Sequence, residues 1–413
     1  MENYDIIVVG AGPGGLFAAI NCGGENKKVL VIERNSSAGK KLLISGAGRC
    51  NLTHQGNIKD FLNYYGDNGG FIKHSLFKFT NEDLMDFFKK RGIALISNED
   101  GKVFPETLKS SDILNILLKE CKRKEISIKY NQRVEKVNYN KEKLAFYIET
   151  KENRYTSKYL VIATGGKSYS NTGSTGDGYV FAEKLGHTIE EPAPSLTPLY
   201  IKDYPFRELS GTSFENLPIA LWRNKKKIKS YRGDVLLTHK NISGPGILNF
   251  SRYVLPGDII RINFIGIKGE EAFRAEFIEK VISRGKSMIK TILKEYPLSK
   301  RFIDKLMDIA GIFQDLKCGE LSKKNRNRLV EILTNFPMEV EGLGDFNLAM
   351  ATRGGVSLKE VSPKTMESRI IKGLYFCGEV LDIDGDTGGY NIQGAFSMGK
   401  LAAKWIIKDM KGE

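Results

Sequence analysis

Apolar positions along the chain fall into two rhythms. Ile6 to Val9 is an uninterrupted β-branched run, as in a strand buried on both faces. Leu16 to Ile20 opens an apolar helix, and Lys28 to Glu33 is a second buried strand ending in an acid. Tyr159 to Thr164 (YLVIAT) is a third such strand, closed by Gly165 and Gly166. Helical spacing marks Asn81 to Arg91, with Leu84, Phe87 and Phe88 on one face and Thr80 or Asn81 as the cap. It recurs after Ser110 or Ser111 (Ile113, Leu114, Leu117, Leu118, Cys121) and from Asp177 to Leu185. The tail, Tyr390 to Met410, carries one apolar stripe: Ile392, Ala395, Phe396, Gly399, Ala402, Ala403 and Ile406. Short strands are expected at Ile93 to Ile96, Val103 to Phe104, Ile126 to Tyr130, Arg133 to Tyr139 and Leu144 to Glu149.

The pattern changes near Glu190. Pro192, Pro194, Pro198 and Pro205 crowd a short stretch, which reads as a domain boundary. Strands then dominate to about Phe264: Leu199 to Lys202, Ile219 to Arg223, Lys227 to Tyr231, Val235 to Thr238 and Ile259 to Phe264. This predicts a small antiparallel barrel or sandwich. Glu270 to Asn335 is helical in pattern, and Pro337 to Val340 returns to the barrel. Thr352 to Val356 and Gly373 to Gly378 resume the style of the first segment. The expected organisation is a discontinuous nucleotide domain (1–190 and 346–413), an inserted barrel (191–270 and 336–345) and an inserted helical domain (271–335).

Between the first strand and helix, Gly10, Gly12 and Gly15 stand in the spacing G-x-G-x-x-G, with Pro13 and Gly14 between them. Gly10 permits the tight turn, Gly12 lets a pyrophosphate approach the backbone, and Gly15 lets helix and strand pack closely. The helix N-terminus offers N–H groups to the phosphates. Glu33, about twenty residues on, is placed to accept ribose hydroxyls. An acid there favours a free ribose over a 2′-phosphate, so the ligand is FAD or NAD and not NADP. Thr164 and Gly165 extend the same site after the third strand. The basic, glycine-rich stretch from Arg34 to His54 is either a ligand loop or a solvated one.

The chain's 413 residues carry a net charge of +14. That excess suggests a polyanionic partner, although many soluble proteins are basic without one. Arg223 to Arg232 (RNKKKIKSYR) supplies Arg223, Lys225, Lys226, Lys227, Lys229 and Arg232, and Ser322 to Arg328 (SKKNRNR) supplies four more cations. Each run is either an RNA contact or a solvated hairpin or helix face. The five cysteines include no C-x-x-C pair and the four histidines are scattered, which argues against a disulfide framework, a zinc site and a dithiol centre. No eighteen-residue apolar run exists, and the first strand begins at once without a basic leader. The expected location is the cytoplasm, with no metal and no membrane span.

Longer motifs carry a resemblance. GKKLLISGAGRCNLT from Gly39, ATGGKSYSNTGSTGDGY from Ala163, THKNISGPGIL from Thr238, and TRGGVSLKEV with TMESRIIKGLYFCGEVLDIDGDTGGYNIQGAFSMG from Thr352 resemble the FAD-dependent flavoproteins of the YhiN, BaiN and aminoacetone-oxidase group (HI0933-like), from Tyr4 to about Lys404. The resemblance implies an α/β fold: a Rossmann-like, glutathione-reductase-like FAD domain built from both chain ends, with an inserted β-barrel and a small helical domain. It implies that Gly378 and Glu379 sit by the ribityl and pyrophosphate. Gly389, Tyr390, Asn391 and Ile392 would lie by the isoalloxazine, at the start of the last helix. Lys40, Lys41 and Arg49 would add positive charge and Asn51 a hydrogen bond, in the loop that also holds Gly46 and Cys50. Val134 would meet the adenine through its backbone, with Arg34 near the ribose.

No second G-x-G-x-x-G exists, so NAD(P)H, if it is the reductant, must enter the substrate cleft and leave first. The reaction expected from the resemblance is reduction of a carbon–carbon double bond, with uridine to dihydrouridine in large-subunit ribosomal RNA first. The alternative is a small-molecule flavin oxidase or reductase acting on an amine such as aminoacetone or a steroid-type enone. No catalytic acid is evident. Cys50, Tyr390 and Arg353 are weak candidates, and each also reads as a packing or surface residue, Cys50 more readily so as a small buried residue in a tight loop.

Overall fold

The computed structural model describes residues 1–24, 26–266 and 269–412. The chain divides into two compact units, Met1–Ser195 with Phe346–Glu413, and Leu196–Asp345.

The first unit is built on a seven-stranded sheet. Its order is Ser127–Lys129, Val29–Ile32, Glu2–Val9, Arg154–Ile162, Ala145–Thr150 and Val134–Asn140, with Leu374–Phe376 also paired to Arg154–Ile162. The strands read as buried from their apolar runs pair in parallel. Val9 lies opposite both Ile32 and Ile162, and Ile162 opposite Phe376. Their C-terminal ends are therefore level, and the loops that follow emerge side by side, which is where doubly wound folds bind ligands. The helices Pro13–Cys22 and Tyr390–Met410 pack on this sheet. They approach closely because a Cβ at Gly399 would lie 2.5 Å from the Gly14 carbonyl oxygen. Phe17 marks the contact, meeting Phe396 edge-on at 5.1 Å and Phe87 at 5.0 Å.

The proline-rich stretch is more ordered than its composition suggests. Ile189–Ser195 is a strand paired antiparallel with Ala351–Val356. In a two-stranded sheet each strand has an unpaired edge, so a proline that donates nothing is tolerated. Pro194 lies opposite Thr352, and the register shifts between Glu190 and Ala193.

The second unit holds a closed six-stranded barrel: Leu199–Ile201, Asn241–Ser243, Lys226–Leu237, Ser213–Arg223, Ile259–Ile262 and Phe336–Leu343. Alternate residues point inward, as Leu217, Ile219 and Leu221 do on one strand and Phe336, Met338 and Val340 on another. Helices Glu270–Ser283, Ile289–Leu293, Lys300–Ala310 and Lys323–Thr334 share the barrel's core, where Phe302 meets Phe206, Phe214 and Phe264. No helix among the described residues is long and apolar enough to cross a membrane.

Candidate cofactor site

The site grows from the level strand ends of the first unit. Gly10 follows the first strand at φ +105°, a conformation suited to glycine, and a Cβ there would lie 2.5 Å from the Ala163 carbonyl oxygen. Gly15, one turn into the helix, is tighter still, since its Cβ would sit 2.0 Å from the Gly10 carbonyl oxygen. Gly12 differs from both: an added Cβ meets nothing within 4 Å. Two of the three glycines are thus required by packing, and the third borders open space. Pro13 is the first helical residue, where its missing N–H loses nothing, and no side chain caps the N-terminus. The uncapped N–H groups and the space beside Gly12 fit a pyrophosphate.

Glu33 ends the second strand and is 7% exposed. Its carboxylate accepts from the Ala11 N–H at 2.9 Å and from the Asn35 N–H and side-chain amide at 2.9 and 2.7 Å. Two carboxylate oxygens have capacity beyond these three donors, as ribose recognition requires. Arg34 reaches Asp177 at 3.3 Å, and Arg133 reaches the same carboxylate at 3.0 Å, which fastens the loop before helix Asp177–Lys184. Gln132 donates its N–H to the Glu33 carbonyl at 2.9 Å, and this holds the strand that begins at Val134 against the site. Thr164 and Gly165, the latter at φ +75°, follow the third strand beside Gly10.

The Arg34–His54 stretch is a ligand-sized loop with its own structure. Helix Lys40–Ile44 begins after Gly39, and Thr53–His54 pairs with Lys102–Pro105. Lys41 donates to Ser168 Oγ at 2.5 Å and to Glu379 at 2.6 Å. Glu379 in turn accepts from Ser168 Oγ at 2.8 Å and the Thr352 N–H at 2.9 Å. Segments near residues 41, 168, 352 and 379 therefore meet in one network. Gly46 folds onto Asn51 at φ +56°, Arg49 donates to the Gly46 carbonyl at 3.1 Å, and Gly378 adopts φ +80° after the last strand. Lys40 stands in the first turn beside Lys41.

Gly389 caps the long final helix at φ +94°, with its Cβ position 2.7 Å from Thr53 Cα. The Asn51 side-chain amide lies across this contact, and with its nitrogen turned to Thr53 it donates to the Thr53 carbonyl at 3.0 Å and accepts from the Gly389 N–H at 3.2 Å. Asn391 clamps Gly385 from both sides, at 2.7 and 2.8 Å, and Ile392 is half-buried in the same turn. With no side-chain cap, this helix N-terminus presents its dipole to whatever lies before it. The residues present fit FAD: a pyrophosphate cradle, a ribose acid and a positive helix end.

Two proton-donor candidates lie in the interior. Cys50 is 0% exposed, and burial pushes its thiol up to about 12. Tyr390 is 2% exposed, stacked against Tyr64 at 4.3 Å and His54 at 5.4 Å, and burial followed by Tyr64 raises its phenol. Both side chains are buried within the first unit. Arg353 is partly exposed, with its Nε buried. The sequence reading missed the Lys41–Ser168–Glu379 network, because spacing along the chain does not bring those positions together. It also missed Asp382, whose carboxyl burial holds above the usual range while it accepts the Gly354 N–H at 2.9 Å.

In the second unit, Asn224 and Lys225, both at positive φ, form the two-residue turn between Ser213–Arg223 and Lys226–Leu237. The basic run is therefore a hairpin. Its members are not equivalent. Arg223 is bound to Asp258 by two 2.8 Å contacts, Lys229 lies over Tyr253 at 3.6 Å, and Arg232 donates to the Asn216 carbonyl at 2.9 Å. Lys225, Lys226 and Lys227 are exposed at the tip. No cluster of metal-ligating side chains occurs among the described residues.

The profile of the HI0933-like protein Rossmann domain matches residues 4–405. A Haemophilus influenzae protein named "Ribosomal RNA dihydrouridine synthase" is 33% identical over 411 residues, covering 99% of this chain and 100% of its own. The Clostridium scindens "3-dehydro-bile acid delta(4,6)-reductase" is 28% identical over 412 residues, covering 96% of this chain and 97% of its own. The solved E. coli quinol fumarate reductase superposes with a TM-score of 0.50 at 14% identity, over 99% of this chain and 71% of its own, a likeness of fold.

Proposed function

The chain belongs to the HI0933-like family of FAD-dependent oxidoreductases, and on that premise we propose that it reduces a uridine of large-subunit ribosomal RNA to dihydrouridine. The observation that carries the reading is the end-to-end match to a relative of that name, joined to a net charge of +14. A steroid-type enone or a small amine would leave that charge without a role.

The reaction adds a hydride to C6 of the uracil and a proton to C5, and NAD(P)H supplies the hydride. Bound FAD supplies the hydride relay between the two. The chain's own residues do the rest. Gly12 and the first helix N-terminus would hold the pyrophosphate, and Glu33 the ribose. The N-terminus of the final helix and the Lys40–Lys41 turn would stabilise negative charge at the ring. Lys41, tied to Ser168 and Glu379, fixes the loops that surround it.

The test is mass mapping of ribosomal RNA from a strain lacking the gene. One large-subunit uridine is expected to lose its two extra hydrogens and to regain them when the gene is restored. An unchanged map overturns the reading in favour of the small-molecule alternative.

A further inference from the structure

The outer face of the barrel holds a groove of about 520 Å³. Its walls come from the two hairpin strands, the strand Ile259–Ile262 with Asn263, and the turn after helix Lys323–Thr334. Lys227, Arg232 and Arg261 line it together with Tyr231, Asn263 and Asn335, and no Asp or Glu does. We infer that this groove binds the sugar–phosphate backbone of the substrate RNA in single-stranded form, a step that rests on the RNA reading above.

Three features carry the inference. The first is charge: three cations converge with no acid among the lining residues, whereas Arg223 of the same hairpin is already engaged by Asp258. Such a cleft concentrates positive potential and draws in phosphates. The second is Arg261, whose guanidinium lies over Trp222 at 5.4 Å on a half-buried side chain. That contact fixes the plane of a forked donor of the kind that suits phosphate. The third is the mixture of groups. Asn335 places an amide among the cations, of a kind that can read a ribose hydroxyl or a base edge, beside Asn263, whose side-chain carbonyl caps the turn at Ile265 and Gly266. Tyr231 is braced by Phe250 at 6.0 Å and by Asn249, whose amide donates to its hydroxyl at 3.0 Å, and it gives the groove a rigid aromatic wall. The volume is of the order of a ligand pocket, enough for a nucleotide unit of the chain but not for a duplex.

The experiment compares three holoenzymes in binding to a fluorescent, single-stranded fragment of large-subunit ribosomal RNA across a salt series. They are the natural protein, the groove variant Lys227→Gln/Arg261→Gln, and the hairpin-tip variant Lys225→Gln/Lys226→Gln. Loss of two phosphate contacts on a single strand should flatten the plot of log affinity against log salt by about 1.4. That flattening is expected in the groove variant, with a smaller one in the tip variant. Arg261→Lys should restore part of the slope if charge is what the RNA meets. Equal slopes in groove and tip variants overturn the inference, because the hairpin's general field then suffices. A groove variant that keeps RNA affinity but is no longer bleached by NADPH also overturns it, since the groove then holds the dinucleotide. If the natural protein reduces uridine while the groove variant binds RNA unchanged, the groove assignment alone fails. If the natural protein neither binds nor reduces the RNA, the functional reading fails with it.

Discussion

On the function proposed above, the nucleotide unit and the inserted unit would meet their partners with different parts of the polypeptide. In the first, the ligand-facing surface is mostly backbone: the turn at Gly10, the open edge at Gly12 and two uncapped helix ends. In the second it is side chains standing on a barrel. A backbone site demands glycines at fixed spacing, so it leaves a readable trace. A side-chain site leaves only composition.

The sharpest way to break this contrast lies within the first unit. Gly15→Ala places a methyl 2.0 Å from a carbonyl oxygen, so helix and strand must separate. The expected loss is about 3 kcal/mol or more, at the upper end for overpacking, seen as a lowered melting temperature of the FAD-free protein. Gly12→Val meets no protein atom at its Cβ and should leave that melting temperature nearly unchanged, while FAD binding is lost. Equal destabilisation by both would show that Gly12 is a packing residue and not a cradle.

A second test removes a side chain of the cradle. Glu33→Ala takes away a carboxylate that accepts from Ala11 and would accept from ribose. A charged hydrogen bond is worth about 1.5–3 kcal/mol, so FAD affinity should fall roughly 10- to 100-fold in a flavin titration.

In the inserted unit the comparison is between two cations of one run. Arg223→Gln should cost about 1.5–3 kcal/mol of stability by losing its forked contact to Asp258, which is almost fully buried. Lys225→Gln, exposed at the turn, should cost less than about 0.5 kcal/mol in the same denaturation experiment. If the two behave alike, the division of the hairpin into structural and ligand-facing cations is wrong.

The smallest expected effect is electrostatic. Glu120 is held down to about 2 by its hydrogen bonds to Arg123 and Arg91, against the cost of burial. Its folded value lies below its unfolded one, so its contribution is complete above about 4.5 and is lost as pH falls towards 2. Glu120→Gln should lower the melting temperature at neutral pH and flatten the acid limb over that window, so that the two profiles converge as pH falls towards 2.

The same contrast explains how much was legible in advance. The tail helix was read as Tyr390 to Met410, and it runs over those residues because its apolar stripe covers every turn. The first strand, glycine turn and second strand were clear for the same reason. The proline cluster was read as a boundary, yet Ile189–Ser195 pairs with a segment more than 150 residues away, a partner that local composition cannot reveal. Helix Lys40–Ile44 and strand Asn241–Ser243 span less than two periods of their own pattern, too short for a repeat to show, so they gave no signal. The basic run was visible as composition. Which of its members are bound into the barrel depends on Asp258, Tyr253 and Asn216, and only the folded hairpin brings those close.

The central claim is that hydride held in the first unit goes to a uracil. The direct measurement is anaerobic. The purified holoenzyme is bleached with NADPH or NADH, freed of excess reductant, and mixed without oxygen with ribosomal RNA from the deletion strain. The account predicts that the yellow colour returns, with one dihydrouridine formed for each flavin reoxidised, at a single large-subunit position. Flavin that stays bleached in the presence of this RNA, and is reoxidised instead by a steroid-type enone or by oxygen, would contradict it.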